Sequence, residues 1–458
     1  MHPDPPSRPS PPGAFVRPLL VFLLAGLVAP PASAQAEPTD PAGWDLSGRI
    51  EASLRYRSQE RRSEDDLSGA LSAWADGTLY SVDGREKLRF SLDGLFLADL
   101  DGLERPAESF YGLGDTRNDR TRAFLYGAWV ESAAVVEGLR LRAGRQEIHR
   151  EEALWFDGLR LATEADGPVT GLVYAGAPVR FSESDRSGDF LGGFGLRWAP
   201  SRGLSLAGDE VFFRDRAPAW APDRTLNNNL TVLAADWYRD GNTAVHATSS
   251  WIGEDPRRQE LSILWNHPRE GWWTRIRLRH QSDYGEAVVT DLSPFAAVVG
   301  DVAPYWTGLA EIRRRLTASA DLALGYAGRW LDRDADEGTY DREYTRWYAL
   351  LRLDGIPGPQ METGLRGDLW DATGAAVAAG GFYVAWKPAE ATRLEAGTEF
   401  TKYRYDAFTG REYLDDRQYS LRFRQRLGDR YSLRLRLARD HSQFGADTLI
   451  EGAVALEF

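Results

Sequence analysis

The chain contains no cysteine at all, two methionines and six histidines in 458 residues. Zero cysteine excludes disulfide scaffolds, thiolate zinc sites, iron–sulfur clusters and cysteine nucleophiles together. Lysine is nearly absent too, at positions 87, 387 and 402 only, although Lys and Arg together number 55. No apolar run approaches the roughly 20 residues a membrane-spanning helix needs; the longest, Leu19 to Ala29, lies near the start. What the chain has instead is 45 Gly, 16 Trp, 18 Tyr and 19 Phe, spread along its length, and a formal net charge of -13. A chain of this length would ordinarily divide into two or three domains; the even aromatic distribution favours one continuous architecture.

Residues 1–34 read as a secretory signal. Arg8 and Arg17 precede an apolar core, and Pro30 and Pro31 lead to Ala32-Ser33-Ala34, placing cleavage after Ala34. A short periplasmic segment, 35–43, and a barrel over 44–458 are expected to follow. With no lipobox cysteine, a lipid anchor is excluded.

Beyond residue 44 the dominant period is two. Leu46, Gly48, Ile50, Ala52, Leu54 and Tyr56 alternate with Asp45, Ser47, Arg49, Glu51, Ser53 and Arg55. Similar alternation recurs around Leu88–Phe96, Trp272–Arg279, Leu433–Leu437 and Ile450–Phe458. Turn signals punctuate the strands at Asp83-Gly84, Glu137-Gly138, Asp166-Gly167-Pro168, Pro200 to Gly203 and Asp240-Gly241-Asn242, then at His267 to Gly271, Thr317 to Ala320, Gly355 to Pro359, Lys387 to Ala391 and Gly428-Asp429. Longer polar segments alternate with them, Ser58 to Ser68 and Ile148 to Trp155 among them. Short turns on one rim and long loops on the other define a transmembrane antiparallel β-barrel of the outer-membrane type. The punctuation gives about 22 strands, held to between 18 and 22, with no separate plug domain.

Alternation also fits a soluble sheet with one wet face. Closure into a barrel is favoured because no helix is available to cover so many apolar faces. Two aromatic girdles are expected: Trp198, Trp237, Trp265, Trp272 and Trp386 beside short turns, and Trp251, Trp330 and Trp370 before long loops. The final strand ends in Phe458, resembling the signal read by the barrel-assembly machinery of bacterial outer-membrane proteins.

If the apolar set faces lipid, the alternate set lines the interior, and arginines form ladders there: Arg140 and Arg142; Arg275, Arg277 and Arg279; Arg422, Arg424 and Arg426; Arg434 and Arg436. Turning one such arginine to lipid at the midplane costs about 2 to 4 kcal/mol, so these ladders fix register. Gln425 is then a misfit on the lipid side, marking a bulge or a rim position. Guanidiniums present fixed donors and positive potential to carboxylates, phosphates and sugar hydroxyls. The bland alternative pairs them with Glu51, Asp76, Asp93, Glu131, Glu395 and Glu399 and leaves them as wall solvation.

One segment goes further. Leu139-Arg140-Leu141-Arg142-Ala143-Gly144-Arg145-Gln146-Glu147-Ile148, followed by Phe156-Asp157-Gly158-Leu159-Arg160-Leu161, resembles a hairpin of the alginate-export family of outer-membrane porins. The resemblance covers about 25 residues. It implies an 18-stranded barrel exporting an anionic polysaccharide through an arginine-lined pore, with Arg140, Arg142 and Arg145 on the pore wall.

The functional expectation is a porin or channel in the bacterial outer membrane, passing anionic solutes or exporting an anionic polysaccharide. The alternative is a structural barrel sheath for a partner such as a multihaem electron-transfer protein or a secretion subunit. Expected partners are outer-membrane lipid and lipopolysaccharide, the barrel-assembly machinery and a periplasmic export or electron-transfer protein; no nucleic acid, metal or cofactor is implied. His149, His246, His267, His280 and His441 show no metal-ligand spacing and no Ser/His/acid constellation, so the chain is not expected to be an enzyme.

Overall fold

The computed structural model describes residues 43–102, 120–149, 153–164, 167–179, 189–215, 226–282, 304–333, 343–372, 375–406, 411–443 and 445–458. The expected signal segment lies outside them. The described residues form 22 strands and no helix. The first eight are β1 (Trp44–Gln59), β2 (Glu64–Tyr80), β3 (Glu86–Asp99), β4 (Thr121–Val136), β5 (Leu139–His149), β6 (Ala153–Thr163), β7 (Val169–Pro178) and β8 (Phe190–Ser201). Then come β9 (Leu204–Asp215), β10 (Leu226–Arg239), β11 (Thr243–Ile252), β12 (Asp255–His267), β13 (Trp272–Gln281), β14 (Tyr305–Thr317) and β15 (Ala320–Leu331). The last are β16 (Tyr344–Asp354), β17 (Met361–Ala372), β18 (Ala375–Ala389), β19 (Thr392–Asp406), β20 (Arg411–Leu427), β21 (Tyr431–Ser442) and β22 (Gly445–Glu457).

Each strand pairs antiparallel with its chain neighbour, and β1 pairs with β22, so the sheet closes on itself. Closure leaves no open edge to recruit another chain. The count stands at the top of the expected range and above the 18 the family resemblance implies. Each of the ten turn signals falls between an even strand and the odd strand after it. Glycine supplies the positive φ there at Gly84, Gly138, Gly241, Gly271, Gly355 and Gly428. Several connections expected to be long are short. The segment read as a loop over Ser58 to Ser68 reduces to residues 60–63, because Asp65, Asp66 and Leu67 continue the ladder opposite Ser58, Arg57 and Tyr56. Charged side chains do not end a strand that has risen past the hydrocarbon.

Residues opposite each other across an antiparallel pair share a face. Followed from Arg49 through every pairing, one face carries Glu51, Asp76, Arg89, Glu131, Arg142, Arg279, Glu311, Arg366, Glu395, Arg422, Arg436 and Glu451, and it returns to Arg49 through Glu457. Side chains on this face reach over an intervening strand: Arg140 to Glu86 at 2.9 Å, Tyr348 to Glu311 at 2.5 Å and Arg393 to Glu362 at 3.3 Å. Side chains converge in this way on the concave side of a cylinder, so this face is the lumen. The opposite face presents Leu46, Ile50, Leu92, Leu159, Phe194, Leu261, Leu365 and Leu421, each 39–56% exposed in the isolated chain; hydrocarbon is the environment that covers them.

The outer face also carries the short-turn aromatic belt, in which Trp44, Trp198, Trp237, Trp265, Trp272 and Trp386 all project outward. Trp251 and Trp330 point outward near the other rim. Trp370 corrects the girdle expectation: it lies opposite Arg346 on the inner face, with the guanidinium 5.0 Å from its ring. Gln425 is the rim position allowed for it. It accepts a 2.7 Å hydrogen bond from Thr392, the first residue of β19. At the seam, Gly48 and Phe458 exchange backbone hydrogen bonds of 2.8 and 3.1 Å. The Phe458 ring occupies the space a β-carbon on Gly48 would need.

Candidate functional site: the inner wall

The hairpin that carries the family resemblance is an interlock. Gly144 faces Gly158, Arg145 faces Asp157, Gln146 faces Phe156 and Arg142 faces Arg160. Gly144 has φ +119°, and a β-carbon there would strike the carbonyl of Ala128; at Gly158 it would strike Ala175, and at Gly176 Asp157. Three glycines in one row across β5, β6 and β7 leave that row without side chains, so the backbones can approach closely there. Gln146, fully buried, donates to the Gly158 carbonyl at 3.2 Å, and Phe156 packs on Tyr174 with ring centres 5.4 Å apart.

Arg145 is where the structure departs from the expected pore wall. It shares its face with Ala128 and Asp157, opposite to that of Arg140 and Arg142, so it projects outward. It is held there by two 2.7 Å bonds to Asp157 and one of 3.0 Å to the Leu125 carbonyl. Strand alternation forces this: 140 and 142 share a parity that 145 does not. A second outward polar group is similarly self-contained, with Glu210 accepting from Asn229 and, at 2.6 Å, from Thr231.

Above the glycine row, toward the long-loop rim, the inner face of β5–β11 is apolar. Ile148, Leu154, Phe156, Tyr174, Leu191, Val211, Phe213, Leu230, Val232 and Ile252 form one buried cluster, five of them at 0–1% exposure. Alternation arguments centred on charge missed it, because β7 and β8 are apolar or small on both faces, as in Leu172-Val173-Tyr174-Ala175 and Phe190-Leu191-Gly192-Gly193-Phe194.

The remaining inner wall is charged, and its arginines are of two kinds. Arg140 and Arg142 converge on Glu131 at 3.4 and 2.8 Å, and Arg142 also lies 3.7 Å over the Trp129 ring. Arg279 bonds Glu260, Arg346 and Arg366 share the buried Asp368, Arg422 bonds Glu395 at 3.0 Å and Arg434 bonds Glu51. By contrast Arg275, Arg277, Arg424, Arg426 and Arg436 have no carboxylate within 4.0 Å among the described residues. Some of these face one another: Arg422 opposes Arg436, and Arg424 opposes both Arg434 and Arg393. Like charges directly opposite on a sheet are unfavourable, so this stretch concentrates positive potential.

Among the described residues no three His, Asp or Glu side chains form a metal-holding group. No protein-family model and no curated protein matches the sequence. Solved structures do match the fold. The P pilus usher (PapC) translocation pore aligns over 90% of this chain and 99% of its own, with a TM-score of 0.53 and 9% identity. The outer membrane protein OpdK from Pseudomonas aeruginosa covers 90% and 98%, at 0.46 and 12%, and Acinetobacter baumannii OccAB1 93% and 99%, at 0.42 and 9%. The chain is a closed all-β barrel of the outer-membrane type.

Proposed function

We propose that the chain is a conduit of the bacterial outer membrane that passes anionic solutes or exports an anionic polysaccharide, and that it is not an enzyme. One observation carries this reading: Arg424, Arg426 and Arg436 crowd onto the inner face of β20 and β21 with no carboxylate within 4.0 Å among the described residues. A wall meant only to be wettable would pair them, as it pairs Arg142 and Arg279. Fixed guanidiniums in a low-dielectric cylinder raise the local concentration of anions and exclude cations. A translocation pore, that of the P pilus usher, shares this fold, which is compatible with a conduit. The resemblance to alginate-export porins supports the polysaccharide form, although its motif residues Gly144, Arg145, Gln146, Phe156, Asp157 and Gly158 act here in the wall's architecture.

The same proposal includes removal of residues 1–34 near Ala34, insertion by the barrel-assembly machinery through the strand ending in Phe458, and lipid and lipopolysaccharide around the outer face. Planar-bilayer recording of the purified protein tests it. In asymmetric KCl the reversal potential should show anion preference, and Arg424→Gln with Arg436→Gln should reduce it. Cation preference unchanged by the double substitution would end the anion reading; absence of any current would favour the sheath.

A further inference from the structure

A hollow in the inner wall lies apart from the free arginines and has different chemistry. It is a groove of about 450 Å³ on β14–β20, toward the short-turn rim. Its floor is bare because glycines fall on the inner face of three adjacent strands: Gly364 on β17, Gly381 on β18 and Gly397 on β19. Tyr383, between Gly364 and Gly397 in register, lies flat over the Gly364 α-carbon, where its ring atoms occupy the space of a β-carbon. The hydroxyl is anchored by donation to Glu362 at 2.8 Å. One ring face is therefore against the wall and the other is presented to the groove.

Every arginine that lines the groove has a carboxylate within 4.0 Å. Arg352 meets Asp321 at 3.3 Å, Arg366 meets Glu399 at 3.5 Å and Arg422 meets Glu395 at 3.0 Å, all six lining the groove, and Arg313 at its β14 edge meets Glu311, just outside it, at 3.8 Å. A free anion entering would have to displace a carboxylate already in place. A molecule with many hydroxyls has no such difficulty, because it donates to the carboxylates and accepts from the guanidiniums at once. Gln418 and Ser420 add further donors and acceptors. A rigid apolar ring face, a rim of balanced donors and acceptors, and room for one or two sugar units together match the two-sided surface of a pyranose, which has a C–H face and equatorial hydroxyls.

We propose that this groove is a binding subsite for a neutral saccharide, with one pyranose ring stacked on Tyr383. It depends on the inner face being the lumen and not on which ions the barrel conducts. Isothermal titration calorimetry of the full-length protein in detergent tests it with glucose, maltotriose and cellotriose as probes and citrate as the anionic control. At least one saccharide should bind saturably. Tyr383→Ala should weaken it by at least about tenfold, a loss of about 1.4 kcal/mol, while Tyr383→Phe, which keeps the ring, should stay within about twofold of the parent. Glu399→Ala should weaken binding by about fivefold through loss of an acceptor, and keeps the question open to measurement where Tyr383→Ala does not fold. Citrate should not compete. No heat with any of the three sugars, equal affinity in Tyr383→Ala and Glu399→Ala, or displacement by citrate would each overturn the proposal. Calorimetry needs no current, so a barrel that conducts nothing yet binds sugar would sink the conduit and leave this site standing.

Discussion

Two stretches of the same inner wall solve opposite problems. On β5–β11, near the long-loop rim, the side chains facing inward are Phe156, Tyr174, Leu191, Val211 and Leu230, all buried. On β19–β22 and β1 they are Arg393, Glu395, Arg422, Arg424, Arg434, Arg436 and Glu51, mostly wet and partly unpaired. The first stretch is a small hydrophobic core built inside the barrel, where inward side chains of seven strands meet. The second is held by backbone pairing and by ion pairs such as Arg422 with Glu395 and Arg434 with Glu51. Inward-facing therefore does not mean water-facing: an inner side chain packs or is solvated according to the side chains its neighbouring strands supply.

The largest expected effects lie in the packed stretch. Phe156→Ala removes a fully buried ring from against Tyr174 and should cost about 3 to 5 kcal/mol, measured by urea unfolding of the barrel refolded in lipid. A cost under about 1 kcal/mol would mean that the corner is no core. Next comes the ion pair behind it. Asp157→Leu leaves Arg145 alone on the greasy face and should cost about 2 to 4 kcal/mol if it sits at hydrocarbon depth, falling to about 0 to 1 near the interface. The double variant Arg145→Leu with Asp157→Leu should recover most of the loss, since a buried pair replaced by apolar groups is often neutral or stabilising. If the double variant proves as poor as the single, the pair itself organises the hairpin.

How much of this was legible depends on which stretch is read. Strand count and turn positions followed from Asp-Gly and Pro-Gly punctuation, because a tight turn needs a residue free to take positive φ, and Gly84, Gly138 and Gly428 announce it. That Arg275 and Arg277, and likewise Arg422, Arg424 and Arg436, fall on one face of their strands was visible as parity, since the neighbouring positions are apolar except Gln425 and Thr274. Loop lengths were less visible: Asp65 and Asp66 look like a loop in composition yet pair as strand once clear of lipid. The packed corner could not be read, because Leu191 and Phe194 are equally apolar and only the closed register sends one inward and the other to lipid. Arg145 was misplaced through motif resemblance, where counting two residues at a time from Arg142 would have placed it outside.

The finest discrimination between the two kinds of wall is a change of sign at a single residue type. Arg142 lies against Glu131, whose side chain is 7% exposed, and over the Trp129 ring; Arg142→Gln should leave that carboxylate only the 3.4 Å contact from Arg140 and destabilise by about 1 to 3 kcal/mol. Arg424 instead sits between Arg393 and Arg434. Arg393 and Arg434 are already tied to Glu395 and Glu51, so Arg424 contributes repulsion without a partner of its own, and Arg424→Gln should stabilise the barrel by about 0.2 to 1 kcal/mol. The gain should shrink in 1 M salt, where the Debye length is about 3 Å, and should coincide with weaker anion preference in the bilayer recording. A stabilised barrel that conducts anions less selectively identifies Arg424 as a residue kept at a cost to stability, whereas destabilisation at both positions would make the two walls alike in kind.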